Sequence, residues 1–339
     1  MSDNTNSMAS ADIGETGGAH KRQPVLIVAG PTASGKSALA ARLARDFDGI
    51  VINADSMQVY RDLPILTAQP GAAERSAVPH RLYGFLDLDD ACSAERWAGL
   101  AKGEIAAAHE TGKLPVLCGG TGLYLRALMR GFSPIPDIRQ DVREAARALL
   151  RQIGAPALRA RLAEHDPEIA ARLHPNDPQR IARAWEVWQA TGRALSEWQK
   201  LPPTPPADLR FLSLIILPER VALYGCCDAR FRVMLERGAL DEVRRTLSLY
   251  PPQRRKGGGS KALGFAELAQ CVDHPERLEG AIAAARQATR NYAKRQVTWF
   301  RHQIANGNFI SPNAGDMQFS ESSYAGISQK IRGFLLTEE

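Results

Sequence analysis

The octet Gly30-Pro31-Thr32-Ala33-Ser34-Gly35-Lys36-Ser37 fits the pattern GxxxxGK[ST] and lies between the apolar run VLIVA (25–29) and the helix-forming ALAARLA. In such a loop the glycines let backbone N–H groups turn inward around a phosphate. Lys36 reaches the phosphate oxygens and the Ser37 hydroxyl can ligate Mg²⁺. The pattern does not say whose phosphate is held. Nucleotide hydrolases add an apolar strand ending in a carboxylate, and GTPases add an NKxD base reader. Here the strand LPVLCGG (114–120) ends in glycines, and NKxD does not occur. The carboxylate that does end a strand is Asp55, in VINADSMQVY. At that edge it faces the crevice where α/β sheets collect ligands. It can orient Mg²⁺, take a proton from a nucleophile, or simply cap the turn that follows. A second glycine turn, Gly119-Gly120-Thr121-Gly122, opens another helix. Its N–H groups and the Thr121 hydroxyl can meet the same phosphates or a leaving oxygen, or it is a plain strand-to-helix turn.

Two further segments carry positive charge in a form that suits a nucleic acid. In HPNDPQRIARAWEVWQATGR (174–193), Gln179, Arg180 and Arg183 fall on the first turns of a helix, with the two arginines on neighbouring positions of one face. Trp185 and Trp188 read as core. In AAARQATRNYAKRQVTWFRHQ, Arg286, Arg290 and Lys294 are four apart and Arg301 follows seven later, a positive stripe without interleaved acids. Tyr292, Trp299 and Phe300 are expected on the apolar side of that helix. An exposed basic face would explain either segment without a ligand. The loop RRKGGGSK adds Arg254, Arg255, Lys256 and Lys261.

These groups need a scaffold. Apolar runs alternate with helical patterns through the first half: strands at 25–29, 49–54, 81–88 and 114–120, with helices at 36–46, 94–110 and 121–130. That rhythm predicts a parallel sheet flanked by helices. From Asp137 to Lys200 the strand signal vanishes, and the Pro-rich LPPTPPADL (201–209) leads back into a strand, FLSLIIL (211–217). A helical block between strands of one sheet reads as an inserted domain, taken as 139–204, with the catalytic core at 23–138 and 205–310. Residues 1–22 read as a disordered leader, NGNFISPNAGDMQFSESS as loop, and 311–339 as a tail. The longest apolar runs are far short of the roughly 20 residues that span a bilayer, and the leader lacks a signal-peptide core, so a cytoplasmic protein without a membrane partner is expected. Five cysteines without a CxxC pair indicate neither a disulfide framework nor a zinc site. A net charge of +6 is only a weak hint of a polyanionic partner.

With these pieces assembled, the chain resembles the tRNA isopentenyltransferase (dimethylallyltransferase) family. The motifs that carry the resemblance are GPTASGKS, NADSMQVYRDLPILTAQP, PHRL, VLCGGTGLYLRAL, GFSPIP, HPNDPQRIARAWEV, TGRALSEWQ and ATRNYAKRQVTWFR, in family order over about residues 24–302. The resemblance implies a P-loop-like α/β fold with an inserted helical domain. It also implies transfer of a dimethylallyl group from dimethylallyl diphosphate to N6 of the adenosine immediately 3′ of the anticodon, in tRNAs reading codons that begin with U. Mg²⁺ is the implied cofactor, the anticodon stem-loop the partner, and diphosphate the product. Gly30 to Ser37 would then hold a prenyl diphosphate. By family match Asp55, Ser56, Met57 and Gln58, and Gln179, Arg180, Ile181, Ala182 and Arg183, contact the tRNA, with Gln58 near the target base. Lys261, Arg286, Arg290 and Lys294 are added to that surface on their charge. Arg143 matches a family arginine facing the substrates. An adenine amino group is a poor nucleophile, so a carboxylate that removes its proton would help, and Asp55 is the expected base. Lys36, Mg²⁺ on Ser37, loop N–H groups and Thr121 would stabilise the leaving diphosphate. The base must flip out of its stack into a channel through the sheet domain.

The chain departs from the family pattern at three places. Cys226-Cys227 stand where Arg-Ile is usual, and that arginine is a diphosphate ligand; either donor binding is weakened or Arg230 or Arg232 takes over. Leu66 and Gln69 replace Gly and Lys, and Phe265 and Ala266 replace Tyr and a basic residue. A small-molecule P-loop kinase and a tRNA-binding homologue with weakened catalysis are the alternatives. A monomer is expected, because one chain carries every catalytic part.

Overall fold

The computed structural model describes residues 22–255, 257–304, 307–312 and 319–337. All but the last residue of the expected leader, and Lys256, lie outside the described residues. In the first half the elements run β1 (Gln23–Ala29), α1 (Lys36–Asp46), β2 (Gly49–Asn53), α2 (Ala72–Ala77), β3 (His80–Arg81), α3 (Ala94–Glu110), β4 (Leu114–Gly119) and α4 (Gly122–Arg130). Then come α5 (Gln140–Ala163), α6 (Pro167–Arg172), α7 (Pro178–Thr191) and α8 (Leu195–Lys200). The chain returns through β5 (Leu209–Ile216), α9 (Arg220–Glu236), α10 (Ala239–Leu249), α11 (Phe265–Ala269), α12 (Leu278–Gln303), β6 (Asn308–Ile310) and α13 (Glu321–Leu336).

The strands form one parallel sheet in the order β3-β2-β4-β1-β5-β6. Strands buried on both faces need no alternation, which is why β1 and β4 read as continuous apolar runs. Val25, Ile27 and Ala29 of β1 pack with Trp97, Leu125, Leu128 and Phe300 from α3, α4 and α12. Leu26 and Val28 turn the other way, onto Leu39 and Leu43 of α1 and Ile327 and Ile331 of α13. β6 and α13 are therefore part of the fold, where a loop and tail were expected; residues 305–306, 313–318 and 338–339 of that stretch lie outside the described residues. β6 is too short for its periodicity to show, and it pairs with β5 from Leu214 to Ile216. The buried spacing Tyr324, Ile327, Ile331 on α13 is a helical stripe.

A second correction concerns residues 81–88. Only His80 and Arg81 join the sheet; the rest is a loop that bridges to the 58–61 segment at Tyr60–Leu86 and is also bonded through the Gly84 N–H and the Leu82 carbonyl. Gly84 and Leu82, both at positive φ, break the run that the apolar residues suggested.

The helices from 140 to 200 have their own core of Leu158, Leu162, Ile169, Ile181, Ala184, Trp185, Val187 and Leu195. Buried Asp166 ties two of them together, accepting from the backbone N–H of Ile169 on α6 (3.0 Å) and of Ser196 on α8 (2.9 Å). Among the described residues no helix is long and apolar enough to cross a membrane.

The C-terminal end of β4 lies hard against the end of β2. A Cβ on Gly119 would stand 2.1 Å from the backbone carbonyl of Ala54, which cannot swing aside. Gly119→Ala is expected to cost about 3 kcal/mol or more. Urea unfolding should show a lower midpoint at unchanged slope; an unchanged midpoint would mean that the two strand ends can separate freely.

Candidate active site

The Gly30–Ser37 loop leaves β1 and turns over the C-terminal edge of the sheet. Gly35 precedes α1 in the left-handed region at φ 81°, where a side chain is disfavoured, and Ala33 holds φ 63° despite its Cβ. Ala33 packs against the cluster of Leu223, Cys227 and Ala293 from α9 and α12. The Ser34 hydroxyl is buried and has no partner among the described residues.

Two cations converge on this loop. Lys36 is buried and donates to the Pro31 carbonyl oxygen (3.1 Å). Burial pulls its pKa below the usual lysine range, with Asp55 and the Cys118 thiol pulling it partly back. Half-buried Arg230, on α9, donates to the Thr32 hydroxyl. Among the described residues neither cation has a carboxylate in direct contact. Of the two arginines expected to compensate for Cys226, Arg230 reaches the loop, while exposed Arg232 faces Glu236 (3.8 Å). The Ser37 hydroxyl lies against Cys118, whose thiol burial pushes up to about 11.

Across the crevice stands Asp55. Its carboxylate accepts the Met57 N–H (2.9 Å), and its own N–H donates to the Asn53 side chain (2.8 Å). Asn53 is fixed in turn by donating to the Asp55 and Leu82 carbonyls. The Asp55–Ser56 turn is tied to the second glycine turn. Thr121 Oγ1 accepts the Ser56 N–H (2.9 Å) and donates to the Ser56 hydroxyl (3.2 Å). The Tyr292 hydroxyl also meets Thr121; burial, then the field of Asp55, raises its pKa. Tyr292 thus faces the site, where an apolar-side position was expected.

The two glycine turns are joined by Gln296 on α12. Its side-chain oxygen accepts the Thr32 N–H (2.8 Å) and its nitrogen donates to the Gly120 carbonyl (2.8 Å). Sequence reasoning missed this residue. The signal was a lone long polar side chain in the buried face Ala285, Thr289, Ala293, Gln296, Phe300.

The remaining expected residues are more scattered. Arg143 bonds Asp137 (3.0 Å) and makes no hydrogen bond to the Gly30–Ser37 loop among the described residues. Gln179, Arg180 and Arg183 are exposed on α7, the arginines paired with Asp177 (2.8 Å) and Glu186 (3.5 Å). Ile181 turns into the helical core and the Ala182 side chain is also buried, so neither side chain is presented to solvent beside Gln179, Arg180 and Arg183. The α12 stripe also needs correction. Lys294 is exposed, but Arg286 and Arg290 are half-buried because they adjoin the buried face, and Asp228 of α9 pairs with Arg290 (2.7 Å). Lys261 is exposed on the loop before α11.

Among the described residues no three His, Cys, Asp or Glu side chains gather into a metal cage. Mg²⁺ is usually held by one or two protein oxygens together with phosphates and water. Ser37 and Asp55 supply oxygens of that kind.

A parallel sheet whose first strand runs into a glycine loop with a buried lysine defines a P-loop-like α/β protein. The family model described as IPP transferase matches residues 58–303, and the chain belongs to that family. It is 52% identical to the tRNA dimethylallyltransferase of Paramagnetospirillum magneticum, covering 93% of this chain and 98% of that one. With the tRNA dimethylallyltransferase of Rhodospirillum centenum it shares 55% identity over 86% of this chain and 92% of the relative. Its structure is similar to the tRNA isopentenylpyrophosphate transferase of Bacillus halodurans (34% identity, TM-score 0.65, 92% of this chain and 96% of that one). A eukaryotic dimethylallyltransferase acting on tRNA superposes at TM-score 0.78 with 30% identity, over 93% of this chain and 79% of that one.

Two outcomes follow from this geometry. Gln296→Leu leaves the Thr32 N–H and the Gly120 carbonyl without partners, at about 1–3 kcal/mol each. It should weaken diphosphate binding at least tenfold by calorimetry; unchanged binding would deny the bridge any role in shaping the loop. Lys36→Met removes a buried charge and should raise the stability of the ligand-free protein at pH 7 by about 1–3 kcal/mol. Because the folded pKa of Lys36 lies below its unfolded 10.5, the unfolded chain binds that proton more tightly, and wild-type stability rises with pH across the gap. The difference between the two proteins should therefore narrow as pH approaches 10.5 in urea unfolding.

Proposed function

We propose that the protein is a tRNA dimethylallyltransferase. It transfers a dimethylallyl group from dimethylallyl diphosphate to N6 of the adenosine immediately 3′ of the anticodon in tRNAs reading codons that begin with U. The observation that carries the reading is the pair of cations, Lys36 and Arg230, drawn together at the Gly30–Ser37 loop, where a carbonyl and a hydroxyl are their direct hydrogen-bond partners among the described residues. Buried charge without a counter-ion is costly, and an anion in the loop relieves it. The relatives' names supply the reaction, and Asp55 supplies a base where such a reaction needs one.

In this reading the loop N–H groups, Lys36 and Arg230 grip the diphosphate, and the prenyl C1 points toward Asp55. The adenine N6 attacks C1, the C1–O bond breaks, and the electron pair leaves with the diphosphate. Asp55 takes the proton that N6 loses. Charge grows on the diphosphate as the bond breaks, so cations already aimed at it favour the transition state without reorganisation. Thr121 keeps Asp55 and Ser56 in register with the donor, and Arg230 does the work of the arginine that Cys226 replaces. Mg²⁺, held by Ser37 and the phosphates, would add to the neutralisation of the leaving group. Ser56, Met57, Gln58, Gln179, Arg180, Arg183, Lys261 and Lys294 form the tRNA-facing set, with Arg286 and Arg290 at its inner margin and Arg143 near the substrates. We read the protein as a cytoplasmic monomer, since this one chain carries all the groups the reaction uses.

The test is incubation with Mg²⁺, labelled dimethylallyl diphosphate and unmodified tRNA bearing adenosine after the anticodon. Label should enter the tRNA. ATP turnover without prenyl transfer would point to a kinase, and tRNA binding with neither activity to an inactive binder. Asp55→Ala should lower kcat by about 10²–10⁴-fold while tRNA binding is kept; undiminished transfer would remove Asp55 as the base.

A further inference from the structure

Residues 63–68 form a single isolated helical turn beside the site. Thr67 N–H bonds the Leu63 carbonyl (3.1 Å), Ala68 N–H bonds Ile65 (3.0 Å) and Gln69 N–H bonds Pro64 (2.9 Å). Such a turn leaves N–H groups unpaired at its start, and one turn is too short to be stable alone. Pro64 has no N–H, so the exposed donors are Ile65 and Leu66. Both are taken by one side chain from far along the chain. Glu242 on α10, itself 2% exposed, accepts Ile65 N–H at 2.7 Å with one oxygen and Leu66 N–H at 2.8 Å with the other.

The far end of the same turn presents two carbonyls toward Gln58. Its side-chain nitrogen donates to Thr67 (3.0 Å) and to Ala68 (2.8 Å). Two acceptors around one atom identify that atom as the nitrogen, and both of its hydrogens are used. Gln58 Oε1 makes no hydrogen bond among the described residues. The side chain is thereby locked as an acceptor and cannot flip to offer its N–H groups.

We propose that Glu242 is a positioning residue for base selection, holding the 63–68 turn so that Gln58 presents only a hydrogen-bond acceptor to the target base. The proposal rests on the transferase reading and on its placement of Gln58 beside the target base. An acceptor facing the six-position of the base favours adenine, which has its amino group there, and disfavours guanine, which has a carbonyl oxygen there. Glu242 touches no substrate; it acts through the turn. Only a carboxylate fits its place, because a carboxamide would turn its nitrogen toward one of the two N–H groups.

The experiment measures the Kd of tRNA for Glu242→Gln in two backgrounds, with Gln58 present and with Gln58→Ala. The Kd should rise about tenfold in the first and stay within about twofold in the second, the non-additivity expected of coupled residues. Preference for adenosine over guanosine at the target position should fall with the first, and the affinity for inorganic diphosphate should not move. Equal losses in both backgrounds, or weakened diphosphate binding, would overturn the proposal. Should Glu242→Gln fail to fold, Glu242→Asp, with both oxygens on a shorter arm, is read by the same criteria. Prenyl transfer by the wild type is scored separately: its absence would sink the transferase reading while the binding cycle still decides the coupling.

Discussion

The site depends on one bridge, the Gln296 carboxamide between Thr32 and Gly120. A carboxamide can accept with one end and donate with the other, and here both ends are used on backbone groups of two different turns. Those turns leave β1 and β4, neighbouring strands that end at the same edge of the sheet. The sheet fixes where the turns begin, and Gln296 fixes how they face each other. Because Gln296 sits on the long helix α12, the same element that covers one face of the sheet also sets the shape of the anion cradle.

Around that bridge the electrostatics are deliberately unfinished. Lys36 and Arg230 are brought together with neutral direct partners, a costly arrangement in an empty protein and a favourable one when an anion enters. The acid sits apart, on β2's exit, held by Asn53 and Met57 rather than by the lysine. The Asp55 charge acts on both cations while the carboxylate itself bonds the Met57 N–H. Cations and a carboxylate in one site are what a transfer needs when a leaving group gains negative charge and a nucleophile sheds a proton. The helices from α5 to α8 contribute nothing to the sheet and keep their own core, so they can carry an acceptor-binding face without disturbing the cradle.

Much of this was legible in the sequence, and what was not has physical causes. The octet, Asp55 and the Gly119–Gly122 turn are local patterns, and the strand-then-turn context placed all three at one edge. Arg230 was foreseen only as one of two substitutes, since residues two apart on a helix point in different directions and composition cannot choose between them. Gln296 and Glu242 were invisible as functional residues because each acts on backbone groups far away in the chain. β6 and α13 were lost because a three-residue strand has no period and its helix follows a polar stretch. The supposed stripe of Arg286, Arg290 and Lys294 was real as a spacing. Its acid, Asp228, lay on another helix, where a pattern along one segment cannot show it.

The central claim is that the Gly30–Ser37 loop holds a prenyl diphosphate with its carbon end turned to Asp55. A crystal structure with Mg²⁺ and an unreactive thio analogue of dimethylallyl diphosphate tests it most directly. The account predicts the diphosphate against the loop N–H groups, Lys36 and Arg230, with the prenyl carbon facing the Asp55 carboxylate. A diphosphate bound away from this loop, or a prenyl chain turned away from Asp55, would contradict it.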